Sequence, residues 1–96
     1  METRIPDYID DFTFDEEDKT AFDGKTLFIN TISVRHADRG KGLFHKFINE
    51  LKQEYAVILL ECWPTLIPMY KHLGFEVLHG EYGGYYEMIW KKTINQ

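Results

Sequence analysis

The chain has 96 residues and a mass of 11.4 kDa, enough for one domain and one core. At 44% hydrophobic and 16% aromatic it has the composition of a folded globular domain, and no apolar run approaches the roughly 20 residues of a membrane helix. The net charge of −5 is uneven: residues 1–23 hold nine acids and two bases, residues 24–96 seven acids and nine bases, and a body so mildly basic argues against nucleic-acid binding.

The acidic beginning (METRIPDYIDDFTFDEED) lacks the basic and apolar regions of a secretory signal, and it is too acidic for a transit peptide. Cys62 stands alone, which excludes an internal disulfide and a cysteine-rich metal site. These features predict a cytoplasmic protein away from membranes. They also predict a single domain over 1–96, made of an acidic segment (1–24) and a core (25–92).

Taken in chain order, Tyr8–Phe14 reads as a short strand with Tyr8, Phe12 and Phe14 at period two, and Asp15–Gly24 as a turn or solvated loop. Thr26–Val34 (TLFINTISV) is β-branched and aromatic, a strand. A polar loop follows over Arg35–Lys41. Gly42–Tyr55 is predicted helical, because Leu43, Phe44, Phe47, Ile48, Leu51 and Tyr55 form one apolar stripe. Ala56–Glu61 (AVILLE) reads as a strand buried on both faces, and strand–helix–strand implies a parallel pair. A short helix is expected near Leu66–Leu73, with Thr65 as N-cap, Pro68 in the first turn and Gly74 ending it. Phe75–Tyr82 and Tyr85–Lys92 flank Gly83-Gly84 as a hairpin. The sum is an α/β domain with a mixed sheet, layered on both faces.

Val34–Phe44 (VRHADRGKGLF) carries the chemistry. A strand ends, a glycine-containing loop turns, and a helix begins. The N–H groups of Gly40, Lys41, Gly42, Leu43 and Phe44 lack intrahelical partners and converge with the helix dipole behind them. Arg35, Arg39, Lys41 and Lys46 against Asp38 give the loop a formal charge of +3. This is a site for a pyrophosphate or a similar anion. The alternative is a plain turn with solvated charges.

Two motifs extend that reading. Arg39-Gly40-Lys41-Gly42-Leu43-Phe44 follows the strand ending at Val34, and Tyr70-Lys71-His72-Leu73-Gly74-Phe75 follows the next strand. With the closing hairpin (YYEMIWKK), their order and spacing resemble the GNAT superfamily of acyl-CoA-dependent N-acetyltransferases over about residues 25–92. The resemblance implies a strand–helix–strand core with splayed parallel strands, then a short helix and a C-terminal hairpin. It implies acetyl-CoA as acyl donor, with Ile32, Ser33 and Val34 meeting the pantetheine amides and Arg39, Gly40, Lys41, Gly42, Leu43 and Phe44 holding the pyrophosphate. A backbone N–H near Val34 would polarise the thioester carbonyl. Tyr70 falls at the position of the general acid, and a phenol can protonate a departing thiolate; packing is the other role open to it. Glu61, at a strand end, is the first candidate for general base acting through water, with His36 and His72 behind it. The acceptor implied is a primary amine: a protein lysine, an N-terminus or a small amine.

The chain departs from the family pattern in three ways. Phe44 stands where the family has Gly or Ala, and Trp63 stands where an Asn often helps hold the pantetheine arm. Most of the family's N-terminal half is missing or compressed into residues 1–25, so an exposed sheet edge is expected, covered by a second copy or a partner protein. A catalytically inactive acyl-CoA-binding or interaction module is therefore the alternative function. Gly40-x-Gly42, with Glu61 nineteen residues further on, also mimics a dinucleotide fingerprint, but His45 occupies its third glycine position.

Overall fold

The computed structural model describes residues 5–17 and 25–92, apart from the side chains of Glu81 and Tyr82. Its elements are β1 (Ile9–Glu17), β2 (Thr26–Val34), α1 (Leu43–Glu54), β3 (Val57–Cys62), α2 (Ile67–His72), β4 (Glu76–Tyr82) and β5 (Tyr85–Lys91). Single 3₁₀ turns at His36–Asp38 and Pro64–Leu66 precede the two helices. The sheet order is β1-β2-β3-β5-β4, and among neighbouring strands of the described residues only β2 and β3 pair in parallel.

β1 is longer than its aromatic pattern suggests. It runs on to Glu17 because β2 offers a ladder along that whole length, from Ile9 opposite Val34 to Glu17 opposite Thr26. The sheet thus takes in part of the acidic segment; the rest of the expected loop, residues 18–24, lies outside the described residues. Phe12 and Phe14 stack at 4.7 Å, and Phe12 meets Phe47 of α1 edge-on at 5.2 Å.

β2 contains the feature that shapes the molecule. Ile29 and Ile32 both pack toward one core, although they are three residues apart, an odd number that would place them on opposite faces of a regular strand. The ladder resolves this: Thr13 faces Thr31 but Phe14 faces Ile29, so β2 carries one extra residue at Asn30. Such a bulge bends and twists its strand. The parallel pairing with β3 stops at the same place, after Thr26–Val57, Leu27–Ile58, Phe28–Leu59 and Ile29–Leu60. Beyond it β2 and β3 diverge, and the backbone of residues 30–34 has no strand on its β3 side.

One core follows from this layout. Phe47, Ile48 and Leu51 of α1 join Leu27, Ile29, Ile58, Leu60 and Met88 of the sheet, with Tyr70, Leu73 and Phe75 closing one end. Lys52 of α1 lies over the Trp90 and Phe75 rings at 5.2 and 5.9 Å and donates to the Leu73 carbonyl. Both helices therefore lie on the same face. This corrects the expected helices on both faces, and it explains why β3 is not buried on both sides: Leu59 is half-buried and Glu61 exposed on the other face. Thr65 is corrected too. It sits inside the 3₁₀ turn, and α2 starts from Leu66 with no side-chain cap. Pro68 and Gly74 take their expected places in the first turn and after the last.

Candidate functional site

The turn before α1 is built by glycine. Gly40 and Gly42 have φ of 81° and 77°, left-handed values that side chains resist, and a Cβ at either would meet no atom within 4 Å. The need is conformational, and the space beside the turn is open. The first backbone bond of α1 runs from Lys46 N–H to the Gly42 carbonyl. From Gly40 to His45, consecutive N–H groups have no backbone acceptor among the described residues. The donors and dipole expected for an anion are present.

The charge of the loop is more local than its formal sum. Asp38 accepts from Arg35 Nε at 2.8 Å and lies 2.7 Å from Arg35 Nη2 and 3.5 Å from Lys41 Nζ. The Arg35 hydrogen bond holds the Asp38 carboxyl below its ordinary range. Arg39 donates through Nε to the Val34 carbonyl at 2.9 Å, fixing the corner between strand and loop.

The hollows around this turn share walls. The first, of about 330 Å³, is lined by Val34, Asp38, Arg39, Gly40, Gly42, Leu43 and Phe44. The second adds Ile32, Ser33, Leu66 and Tyr70 and shares Val34, Arg39, Phe44 and Met69 with the first. A third continues past Ile32, Leu66 and Tyr70 to Asn30, Glu61, Trp63 and Tyr85. A fourth, on the other side of the sheet, shares Ile29, Asn30, Leu60 and Glu61 with the third and adds Glu87. Through these shared walls they line up as a groove from the N–H turn along the splayed edge of β2 to Glu61.

Of the residues singled out in the sequence, Ile32, Ser33, Val34, Arg39, Gly40, Gly42, Leu43 and Phe44 line the first two hollows. Lys41 lies in the same turn, exposed and paired to Asp38. Tyr70 lies where the second and third hollows meet, and Glu61 where the third and fourth meet. Phe44 is half-buried, edge-on to Tyr70 at 5.8 Å, and forms one wall of the groove. His36 is on the exposed 3₁₀ turn and His72 beside His45, ring centroids 6.5 Å apart; neither lines a hollow with Glu61.

Tyr70 is only 4% exposed and lines two of the hollows, and the buried hydroxyl left without a partner among the described residues is that of Tyr8. Burial pushes the pKa of Tyr70 up, and the neighbouring Cys62 pushes it further. It stays a phenol throughout the physiological range. Cys62 is buried with Sγ 3.6 Å from Met88 Sδ, and burial raises its pKa as well, as befits an inert core thiol. Sequence reasoning missed the Asn30 bulge and the stacking of Trp63 on Tyr85. The polar pair Asn30-Thr31, interrupting TLFINTISV, was the available signal for the bulge.

No protein-family model matches the chain, and no curated protein does. Solved structures do match. An acetyltransferase of the GNAT family from Listeria monocytogenes is 25% identical, with a TM-score of 0.56, over 71% of this chain and 44% of its own. Arabidopsis thaliana Naa50, solved with the bisubstrate analogue CoA-Ac-MVNAL, is 20% identical at TM-score 0.62, over 81% of this chain and 62% of its own. Arabidopsis thaliana NAA60, solved with acetyl-CoA, is 21% identical at TM-score 0.58, over 78% and 53%. The chain thus spans about half the length of the structures it matches. Among the described residues no cluster of side chains could hold a metal ion, and no helix is long and apolar enough to cross a membrane. With its bulged, splayed parallel pair, its N–H turn and its closing hairpin, the chain carries the GNAT fold.

Proposed function

We propose that this protein is an acetyl-CoA-dependent N-acetyltransferase that acts on a primary amine. One observation carries the reading: the splay that leaves residues 30–34 without a β3 partner opens from Ile29 and Leu60 toward the free N–H turn, and Tyr70 lines the same hollow as Ile32, Ser33 and Val34. Unpaired backbone polar groups need partners. A pantetheine arm carries amides that supply them in the manner of an added strand, and the solved structures of the same fold include one with acetyl-CoA.

The residues divide the work by position. Ile32, Ser33 and Val34 present backbone groups to the pantetheine. Gly40, Gly42, Leu43 and Phe44 present N–H groups to the pyrophosphate, with Arg39 and Lys41 adding charge. Acetyl-CoA, when bound, supplies an activated acyl carbon and a thiol leaving group. Tyr70 donates its phenolic proton to the departing sulfur, and a backbone N–H near Val34 polarises the carbonyl. Glu61, exposed at the far side of the groove, receives the amine's proton through water.

The non-catalytic alternative keeps the same groove and loses the proton donor's role. A thiol-release assay with the Tyr70→Phe variant separates the two. The enzyme reading expects turnover to fall roughly a hundredfold or more with acetyl-CoA affinity unchanged. Equal turnover in the variant would remove Tyr70 from the chemistry, and no release with any amine would favour the binding module.

A second copy or another chain along an open sheet edge belongs to the same reading. The two edges differ. β1 displays Asp11, Asp15 and Glu17, which disfavour pairing with another β1, whereas β4 exposes Val77 and Leu78. Pairing through β4 predicts a dimer in light scattering at micromolar concentration that Leu78→Lys converts to monomer. A monomeric wild-type protein would contradict it.

A further inference from the structure

We propose that Trp63, Tyr85 and Glu61 form the acceptor's binding site, and that the acceptor is a primary ammonium on an alkyl chain. Two sources share that chemistry, a lysine side chain and a polyamine arm. The role as acceptor rests on the acetyl-transfer reading; the binding site rests on its own geometry.

Trp63 is 51% exposed, Tyr85 39% and Leu66 38%, and all three ring one hollow of about 190 Å³. Large exposed apolar side chains gathered around an opening mark a binding surface. The indole and phenol rings lie 4.2 Å apart, tilted by 32°. The hairpin turn is shaped to permit this. Gly84 has φ of 95°, and a Cβ there would stand 3.0 Å from Trp63 Cζ3. A glycine is thus required both for the turn and for seating the indole.

The opposite wall is anionic. Glu61 is exposed and makes no ion pair or hydrogen bond among the described residues. Glu87 faces it directly across the β3–β5 ladder. Like charges in that position are unfavourable unless a cation intervenes. His79 stands 3.9 Å from Glu87. Tyr70, 4% exposed, lines the same hollow. Aromatic faces beside a carboxylate recognise an ammonium through cation–π attraction and charge. Leu66 and Ile32 suit the alkyl chain behind it. An anionic acceptor would be repelled, and a neutral one would forgo both contacts. A chain entering here delivers its amine toward the proton donor from the side opposite the N–H turn.

The test titrates the intact 96-residue chain with spermidine, with Nα-acetyl-lysine amide and with Nα-acetyl-norleucine amide, and follows tryptophan emission. The expected result is a saturable change with the amines and none with the norleucine derivative. By calorimetry, amine binding is lost in Trp63→Ala and weakened roughly tenfold in Glu61→Gln. Tyr85→Ala, with circular dichroism on every variant, guards against a hairpin that fails to fold. Tighter binding of spermidine points to a polyamine, and tighter binding of the lysine derivative to a protein side chain. No saturation with either amine, or an equal response to norleucine, overturns the proposal. Calorimetry with acetyl-CoA is run beside it. Amine binding without acetyl-CoA binding keeps this site and removes the transferase reading; the reverse result does the opposite.

Discussion

Tyr70 belongs to the core and to the groove at once. Its ring is packed between Phe44 at 5.8 Å and Phe75 at 5.5 Å, while the side chain also lines two of the hollows. Among the described residues the buried hydroxyl left without a hydrogen bond is that of Tyr8, so the Tyr70 oxygen is not locked into the core. Removing that oxygen therefore costs little stability: Tyr70→Phe is expected to melt within a few degrees of the wild type by differential scanning calorimetry. The pH dependence follows from the same burial. Because the folded pKa of Tyr70 lies above the ordinary 10.0, the unfolded chain releases this proton first as pH rises. The stability linked to it is fully present below about pH 10 and drains away above it. Cys62, raised from 9.0, acts in the same sense from lower pH, while Lys52, lowered from 10.5 by burial, acts in the opposite sense. Urea midpoints from pH 9 to 11 should thus fall less steeply in Tyr70→Phe than in the wild type. Parallel curves would mean that Tyr70 does not titrate differently on folding.

At the scale of elements, the loop–helix junction and the bulge position the site. Gly42 precedes α1 in a left-handed conformation with open space around it, so alanine there strains the backbone without a clash. Gly42→Ala should cost about 1–2 kcal/mol of stability and weaken acetyl-CoA binding. A variant that melts lower but binds as well would show that the turn serves folding alone. Phe47 anchors α1, fully buried against Phe12 and the sheet, and Phe47→Ala should cost about 3–5 kcal/mol. For a domain whose whole stability is about 5–15 kcal/mol, the urea midpoint would show that loss clearly. These elements were largely legible in the sequence. The α1 stripe placed the helix within one residue at each end, and GG placed the hairpin turn, since both patterns depend on local spacing. The bulge was not legible, because it depends on β1 and α1 together demanding that Ile29 and Ile32 share a face. Thr65 misled for a related reason. Pro64 draws that residue into a 3₁₀ turn, where its hydroxyl caps nothing.

At the scale of the whole molecule, the arrangement is two-sided. One face of the sheet carries both helices and the core. The other presents Phe28, Leu59 and Ile89, half-buried, beside Asn30, Glu61 and Glu87. Hollows on the two faces share Ile29, Asn30, Leu60 and Glu61 at the gap that opens beyond Ile29 and Leu60, an arrangement that fits the proposed approach of donor and acceptor from opposite sides. Sequence spacing placed Val34, the glycine turn and Tyr70 in register, because each sits at the end of its own element. It could not show Trp63 meeting Tyr85, which are 22 residues apart and brought together only by the β3–β5 ladder and the Gly84 turn.

The proposed function stands or falls with the turn from Gly40 to His45 as the head of a site for acetyl-CoA. Calorimetric titration with acetyl-CoA, with 3′-dephospho-CoA and NADH as controls, tests it most directly. Saturable micromolar binding of acetyl-CoA at one site per chain is expected, weakened in Gly42→Ala, with no comparable binding of NADH. No heat with acetyl-CoA up to millimolar concentration, from a protein shown to be folded, would contradict it.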